Sequence, residues 1–327
     1  MNPKQFNVLL IGCGNMAAGF DLTNQASVPA RTHAAGFSRH NGFKLTACID
    51  PDVERRSRAA QKWNIPVHCE SVEQLHDSEL CFDVVNICSP THLHLEHIEA
   101  AVAMHPKVIF CEKPLTSSLH DTQYAIELCE AHNVTLAVNY SRSWDPSITD
   151  LMSQINQNRW GDLRSVVAHY NKGILNNGGH MVGLLLQLLG SLQIVSARNV
   201  HFDLSREDPT VAALLFSDDN IPVYLNPTHA ADYALFELEL FFSRGVIRML
   251  DGGLNWQIQI PVAHEQYQGY NALSLPSRQA GNYSSAMSLA VENIYEHLTV
   301  NQPIACSGQD AIAIQKICEA IRDAASH

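Results

Sequence analysis

Over the first 140 residues the apolar positions come in short unbroken runs, separated by longer stretches whose apolar residues recur at helical spacing. The runs at 8–11, 45–49, 84–88, 108–111 and 135–138 predict strands buried on both faces. Between them, 31–40, 52–63, 93–104 and 119–132 predict helices. Strand and helix in repeated alternation imply a parallel, doubly wound α/β sheet. Right-handed crossovers then bring the C-terminal ends of the strands to one edge, where ligands of such sheets bind.

The pattern changes near Asn139-Tyr-Ser-Arg-Ser-Trp-Asp-Pro146. After one helix at 147–156 come runs at 165–170, 194–202, 211–216, 221–226, 236–242, 245–250 and 256–260, broken by Gly, Asp, Asn and Pro. They predict antiparallel strands, with hairpin loops at 217–220 and 243–245. Helices at 284–298 and 311–324 close the chain. A length of 327 residues suits about two domains, and the change of pattern divides them as 1–142 and 143–327.

The first strand runs into Gly12-x-Gly14-x-x-Ala17. In a strand–turn–helix context Gly12 permits the tight turn, Gly14 lets backbone N–H groups approach a pyrophosphate, and Ala17 keeps the helix close to the strand. The phosphate is then held by unpaired amides and the positive end of the helix dipole. The motif needs a carboxylate at the end of the second strand, and Asp50 supplies it. Asp50 lies further on than the usual spacing of about 20 residues, because 20–32 reads as a loop inserted in the first crossover. The other reading is an ordinary strand–helix turn with a solvent-facing Asp. A carboxylate at 50 favours NAD, since it bonds the ribose 2′-hydroxyl and repels a 2′-phosphate.

Lys plus Arg (21) against Asp plus Glu (33) leaves a net charge of −12, which argues against a nucleic-acid partner. The densest basic cluster, Arg55, Arg56 and Arg58, is either a solvated helix face or a 2′-phosphate contact that would admit NADP. Nine cysteines lack C-x-x-C spacing, and Cys48, Cys88 and Cys111 fall in apolar runs. Reduced, buried thiols and a cytoplasmic location are expected. Leu10-Ile-Gly-Cys13 imitates a lipoprotein cleavage box, but the apolar stretch before it is too short for a signal peptide. The later run 184–189 contains Gln187 and is too short to span a bilayer. No membrane segment is expected.

Ser89-Pro90-Thr91-His92-Leu-His94 follows the run at 84–88, and Cys111-Glu112-Lys113-Pro114 follows the run at 108–111. Both therefore fall on the ligand-binding edge. Lys113 is placed to donate a hydrogen bond to a substrate oxygen, with burial able to lower its pKa; alternatively it is a loop lysine paired with Glu112. In the second domain, Lys172-Gly173 leads through Asn176, Asn177 and two glycines to His180 and a leucine-rich helix. A helix starting near Asn176 puts Asn176 and His180 on one face. A histidine is the usual group to take a hydroxyl proton, although one beside an apolar helix is commonly a core residue. His92, His94, Glu96 and His97 have a spacing that suits a loop better than a metal site, and no metal is expected.

Taken together, Gly12-x-Gly14-x-x-Ala17, Asp50, Ser89-Pro90-Thr91-x-x-His94, Glu112-Lys113-Pro114 and Gly173 through His180 resemble the Gfo/Idh/MocA (glucose-fructose oxidoreductase, inositol dehydrogenase, rhizopine catabolism) family over nearly the whole chain. The resemblance implies an α/β chain with an N-terminal Rossmann domain. Its second domain would be α+β, with a large open, mostly antiparallel sheet that forms a homodimer or homotetramer through its open face. It further implies NAD(P)-dependent hydride transfer at a carbinol of a sugar, cyclitol or sugar nucleotide. By position, Lys113 matches the family's catalytic lysine and His180 its catalytic histidine. The usual Asp four residues before that histidine is Asn176 here, and a second Asp three residues after it is Gly183. An amide orients a hydroxyl but accepts no proton, so Lys113 and His180 are expected to share proton transfer while Asn176 orients substrate.

Cofactor contacts are expected from Gly12, Gly14, Asn15, Met16, Asp50, Ser89, Pro90, His94, Glu112 and Lys113, with His94 at the nicotinamide edge. Substrate contacts are expected from Lys113, Arg142, Trp144, Asn176, Asn177 and His180. Arg142, Trp144 and Asp145 are equally suited to packing. The rival readings are a non-catalytic dinucleotide sensor of the same fold, or an imine or enamine reductase.

Overall fold

The computed structural model describes residues 5–25, 28–75 and 79–326. They divide into two compact units: Met1–Trp144 with Ser284–Ala313, and Asp145–Tyr283 with Ile314–His327. The first unit thus takes back a late segment that a single cut after residue 142 would leave in the second.

In the first unit β1 (Phe6–Ile11), α1 (His33–Arg39), β2 (Phe43–Ile49), α2 (Val53–Trp63), β3 (Val67–Cys69), β4 (Val84–Ile87), α3 (His94–Ala103), β5 (Val108–Cys111), α4 (Leu119–Ala131) and β6 (Thr135–Val138) alternate as expected. β3 is an addition that no apolar run announces. The sheet order is β3-β2-β1-β4-β5-β6 and every pairing is parallel, the dinucleotide-binding arrangement. β4 and β5 are buried at all positions, which is why they read as unbroken apolar runs. Side-chain caps start the helices: Thr32 for α1, Asp52 for α2 and Ser118 for α4. The strand ends are in register, with Ile11 opposite both Ile49 and Ile87, Ile87 opposite Cys111, and Cys111 opposite Val138. The next residues, Asp50, Gly12, Cys88, Glu112 and Asn139, consequently share one edge.

The first crossover departs from expectation. No full helix follows Gly14. A single turn forms, in which Ala18 N–H and Gly19 N–H donate to Gly14 O (2.9 and 3.0 Å), and a short 3₁₀ stretch Gly19–Asp21 ends it. The chain then runs through the inserted loop, of which Ala26 and Ser27 lie outside the described residues, and α1 starts only at His33. Buried Asp21 ties the loop down by accepting from Arg31 N–H and Thr32 N–H, both at 2.8 Å, and from the Thr32 hydroxyl at 2.9 Å. One turn carries far less dipole than a helix, so an anion here relies on the turn's amides.

The second unit begins with α5 (Pro146–Asn156), capped by Asp145, and β7 (Leu163–Tyr170). A wide turn at Gly173–Asn177 with π-type bonding leads into α6 (Gly178–Leu189). There follow β8 (Leu192–His201), β9 (Thr210–Ser217), β10 (Pro222–Pro227), β11 (Phe236–Phe242), β12 (Gly245–Leu250), β13 (Asn255–Gln259), the hairpin of β14 (Pro261–Ala263) and β15 (Asn271–Leu273), and β16 (Ser277–Ala280). The large sheet runs β16-β13-β12-β11-β7-β10-β9-β8 and is antiparallel except where β10 lies parallel to β7. β7 alternates: Val166, Ala168 and Tyr170 are fully buried while Val167 and His169 face outward, the pattern of a sheet covered on one side. The outward face carries a polar string in which Glu239 accepts from Arg248 Nε (2.6 Å) and pairs with His169 Nε2 (3.3 Å).

The last helices are α7 (Ala286–Val300) and α8 (Gly308–Ala324). α7 lies in the first unit, where Tyr295 stacks edge-on against Phe6 and Phe43 at 6.0 and 5.9 Å and Val291 faces Gly36 of α1. Among the described residues no helix is long and apolar enough to cross a membrane.

Candidate active site

The glycine loop is built by steric necessity at one position and by vacancy at another. Gly12 has φ +88°, and a Cβ there would sit 2.7–2.8 Å from the backbone of Cys88 and Ser89, so no other residue fits. Gly14 is different: its φ is not left-handed, and a Cβ would meet no atom within 4 Å. The protein's own packing does not demand a glycine at 14, but a ligand approaching the backbone would.

Gly14 lines a cavity of about 690 Å³ in the first unit, together with Gly12, Asp50, Ser89, Glu112 and Lys113. Asn15, Met16, Pro90 and His94 also border it. A smaller cavity of about 270 Å³ shares Gly14, Asn15 and Arg55 with the first and adds Arg58. All ten residues expected to touch a dinucleotide therefore border one space, of a size usual for ligand sites. Those groups fit the cofactor: a backbone left bare at Gly14, and a carboxylate at Asp50.

Asp50 is buried and already engaged, accepting Cys13 N–H at 2.7 Å on one oxygen and Asp52 N–H at 2.9 Å on the other. It therefore braces the glycine loop. Each oxygen retains a second lone pair for a ribose hydroxyl.

His94 is not presented to the cavity as a donor. It is 1% exposed, with Nδ1 at 3.1 Å from both Pro114 O and Leu115 O and Nε2 at 2.8 Å from Ser89 O. It pins the loop after β4 to the loop after β5. The neighbouring His97 is engaged separately, pairing through Nδ1 with Ser89 Oγ at 2.8 Å, and burial holds its pKa below the usual value. Among the described residues no group of three or more His, Cys, Asp or Glu is disposed to hold a metal ion.

Lys113 borders the cavity and is joined to Pro114 by a cis peptide bond. The Glu112 carboxylate points into the interior, where Oε1 lies 2.8 Å from His33 Nε2 and 2.7 Å from Asn139 Nδ2. His33, Asn86 and Asn139 were not among the expected site residues. Asn139 is the residue immediately after β6, and its place on the shared edge is the one signal that pointed to it.

Trp144 is 5% exposed, donates from Nε1 to Asn293 Oδ1 at 3.0 Å and packs edge-on against Phe110 at 5.9 Å. It is a core residue of the first unit, as the packing alternative has it. Arg142 is buried in the same unit. In the second unit Asp145 is the cap of α5.

The stretch holding Asn176, Asn177 and His180 starts earlier than expected. The helical path opens at Gly173 with a π turn and becomes α-helical at Gly178, so Asn176 lies in the wide turn and His180 in the regular helix. Two carboxylates shape this start. Asp208 accepts Leu175 N–H at 2.7 Å and Asn176 N–H at 3.0 Å, and Asp203 accepts Lys172 N–H at 3.1 Å. Gly173 has φ +81°, and a Cβ there would lie 2.1–2.6 Å from the Asp208 carboxyl group. Wide turns of this kind recur at functional sites. Neither Asp was foreseen, because both come some thirty residues later in the chain.

Residues 6–140 match the sequence model of the Gfo/Idh/MocA family, described as an oxidoreductase family with an NAD-binding Rossmann fold. A Bacillus subtilis scyllo-inositol 2-dehydrogenase (NADP(+)) is 31% identical over 129 residues, 39% of this chain and 38% of that protein. The first curated relatives are all matched over less than two-fifths of their own length. The inositol 2-dehydrogenase of Rhizobium meliloti is matched end to end, at 22% identity over 93% of this chain and 96% of its own. Among solved structures, scyllo-inositol dehydrogenase from Lactobacillus casei, with bound NAD(H) and scyllo-inositol, superposes with a TM-score of 0.74. It shares 17% identity, covering 98% of this chain and 97% of that one, and so speaks for the fold. The family match thus lies in the nucleotide-binding part of the chain, whose residues 6–140 are similar to the NAD-binding Rossmann domain of the Gfo/Idh/MocA oxidoreductases.

Proposed function

We propose that this chain is an NAD(P)-dependent oxidoreductase acting at a carbinol carbon of a sugar, cyclitol or sugar nucleotide. One observation carries the reading: Gly12, Gly14 and Asp50 line the same cavity as Lys113. The nicotinamide cofactor supplies hydride transfer. The turn amides at 14–16 hold the pyrophosphate, and Asp50 bonds ribose hydroxyls with its remaining lone pairs. The Lys113 ammonium donates to the substrate oxygen and moves its proton. In the second unit His180 is the residue assigned to proton transfer, and Asn176 orients a hydroxyl without accepting its proton. The substrate class is supported by relatives named as inositol dehydrogenases and a D-xylose 1-dehydrogenase. The outward sheet face, with Tyr224 46% exposed, is the surface through which copies would associate as a dimer or tetramer, and the buried free thiols suit the cytoplasm.

NADP is favoured as a second cofactor by Arg55. It lines both cavities, the larger one together with Asp50, and its guanidinium there suits a 2′-phosphate.

The test mixes purified protein with NAD⁺ or NADP⁺ and a panel of sugars, cyclitols and sugar nucleotides, following absorbance of the reduced nicotinamide, with Lys113→Met as control. Turnover that depends on Lys113 is expected. Turnover unchanged in Lys113→Met would sink the role given to Lys113, and NADH binding with silence across the panel would sink the enzyme reading and favour a sensor.

A further inference from the structure

Behind Lys113 the first unit buries a charged pair that the proposed reaction does not use. His33 is fully buried, with Nδ1 2.7 Å from Asn86 Oδ1 and Nε2 2.8 Å from Glu112 Oε1. Asn86 donates its Nδ2 to Cys88 Sγ at 3.1 Å, which leaves its oxygen toward the ring. Nδ1 faces an acceptor, and Nε2 lies closer to the Glu112 oxygen than to Asn139 Nδ2 at 3.1 Å, which itself donates to that oxygen, so both ring nitrogens donate and an imidazolium meets a carboxylate. Asn139 Nδ2 donates to the same Oε1 at 2.7 Å. The second carboxylate oxygen, Oε2, accepts the backbone N–H of Lys113 at 3.2 Å.

The groups come from four elements. His33 opens α1, Asn86 and Cys88 are at the end of β4, Glu112 follows β5 and Asn139 follows β6. A buried ion pair is a weak source of stability, because desolvating both charges offsets their attraction. Its geometric effect is definite: two donors on Oε1 fix the carboxylate plane, and that plane aims Oε2 at the peptide of Lys113. The charges agree with the geometry. Burial pulls the His33 pKa down, but the Cys88 thiol and Glu112 carboxylate outweigh it and raise it to about 10. For Glu112 burial pushes up, and the hydrogen bond and charge of His33 prevail, holding its pKa below the usual carboxylate value.

We infer that His33 is a positioning residue for Lys113, acting through Glu112, whose carboxylate it holds against the Lys113 backbone amide at the cavity wall. The inference takes from the proposed function only that Lys113 is the working lysine.

Hydrogen exchange read by mass spectrometry on the full chain tests it without a substrate. Pro114 has no N–H, so peptides ending there report Lys113 as their last amide. His33→Leu removes the donor to Glu112, and the Lys113 amide is expected to exchange at least tenfold faster while the amides of α4 keep their rates. His33→Gln retains a neutral donor and is expected to restore Lys113 to within about threefold of the parent rate. A Lys113 rate unchanged in His33→Leu, or one that rises together with α4, overturns the inference. Should His33→Leu fail to fold, His33→Phe keeps the volume of a ring and removes the donor to Glu112; a several-fold rise at Lys113 with α4 unchanged supports the inference and an unchanged rate overturns it. Turnover in Lys113→Met separately judges the proposed reaction, so the two readings can fail independently.

Discussion

Replacing Gly14 by Ala should separate stability from cofactor binding. The added methyl meets no protein atom within 4 Å, and the backbone at 14 is not left-handed, so the folded state gives up nothing. Removing a glycine also narrows the unfolded ensemble, a gain of about 0.4–1 kcal/mol where the native conformation suits alanine. For a unit of this size that corresponds to about 1–4 °C in Tm. The methyl projects into the space where the backbone of 14–16 would approach a pyrophosphate. A displaced phosphate contact of only about 1.4 kcal/mol weakens binding tenfold. Fluorescence titration with NADH and NADPH, alongside thermal unfolding without cofactor, reads both quantities. Affinity should fall at least tenfold while Tm holds or rises, and Gly14→Val should deepen the loss. If Gly14→Ala binds both cofactors like the parent, the pyrophosphate does not lie against this turn.

The neighbouring Gly12→Ala should behave oppositely, losing about 2 kcal/mol or more to the left-handed backbone and the clash with Cys88, seen as a lower urea midpoint before any cofactor is added. The raised His33 pKa makes its contribution to stability whole below its unfolded value near 6.5 and lost as pH rises through about 10, while the lowered Glu112 pKa makes that contribution present above about 4.5 and lost in acid. The urea midpoint should therefore decline from pH 7 to 10, and His33→Gln should flatten the decline; parallel profiles would contradict the pairing. In the second unit Asp208→Asn leaves one of the amides of Leu175 and Asn176 without an acceptor and should cost about 1–3 kcal/mol, with exchange at 175–176 accelerated. Asn176→Asp should leave turnover on the best panel substrate unchanged or lower; a large increase would mean that a carboxylate at 176 is needed for proton transfer.

The parts of the fold that were legible are those whose information is local. β4 and β5 are buried throughout and announce themselves as apolar runs, and Gly12, Asp50 and Lys113 follow strand ends that the register brings to one edge. β3 is three residues long and only partly buried, so it has no period to read. The parallel pairing of β10 with β7 joins segments more than fifty residues apart, and hairpin spacing favours the antiparallel alternative. At the site, the edge was visible but the support behind it was not. His33 lies just past an inserted loop and meets Glu112 only across the sheet, and Asp203 and Asp208 reach the turn at 172–176 from a later loop. His94 is a related case: it borders the cavity, but its ring is engaged by three backbone carbonyls, which no spacing reveals.

The return of α7 to the first unit has a consequence for how the protein is made. A ribosome releases Phe6, Phe43 and Trp144 long before Tyr295 and Asn293, the partners that cover or bond them. During that interval the whole second sheet is synthesised, and the nascent nucleotide-binding layer waits with part of its apolar face uncovered. A fragment stopped near residue 142 would keep the glycine loop and Lys113 but never receive that cover, so it should be prone to aggregation or chaperone capture even though every expected cofactor-binding residue is present.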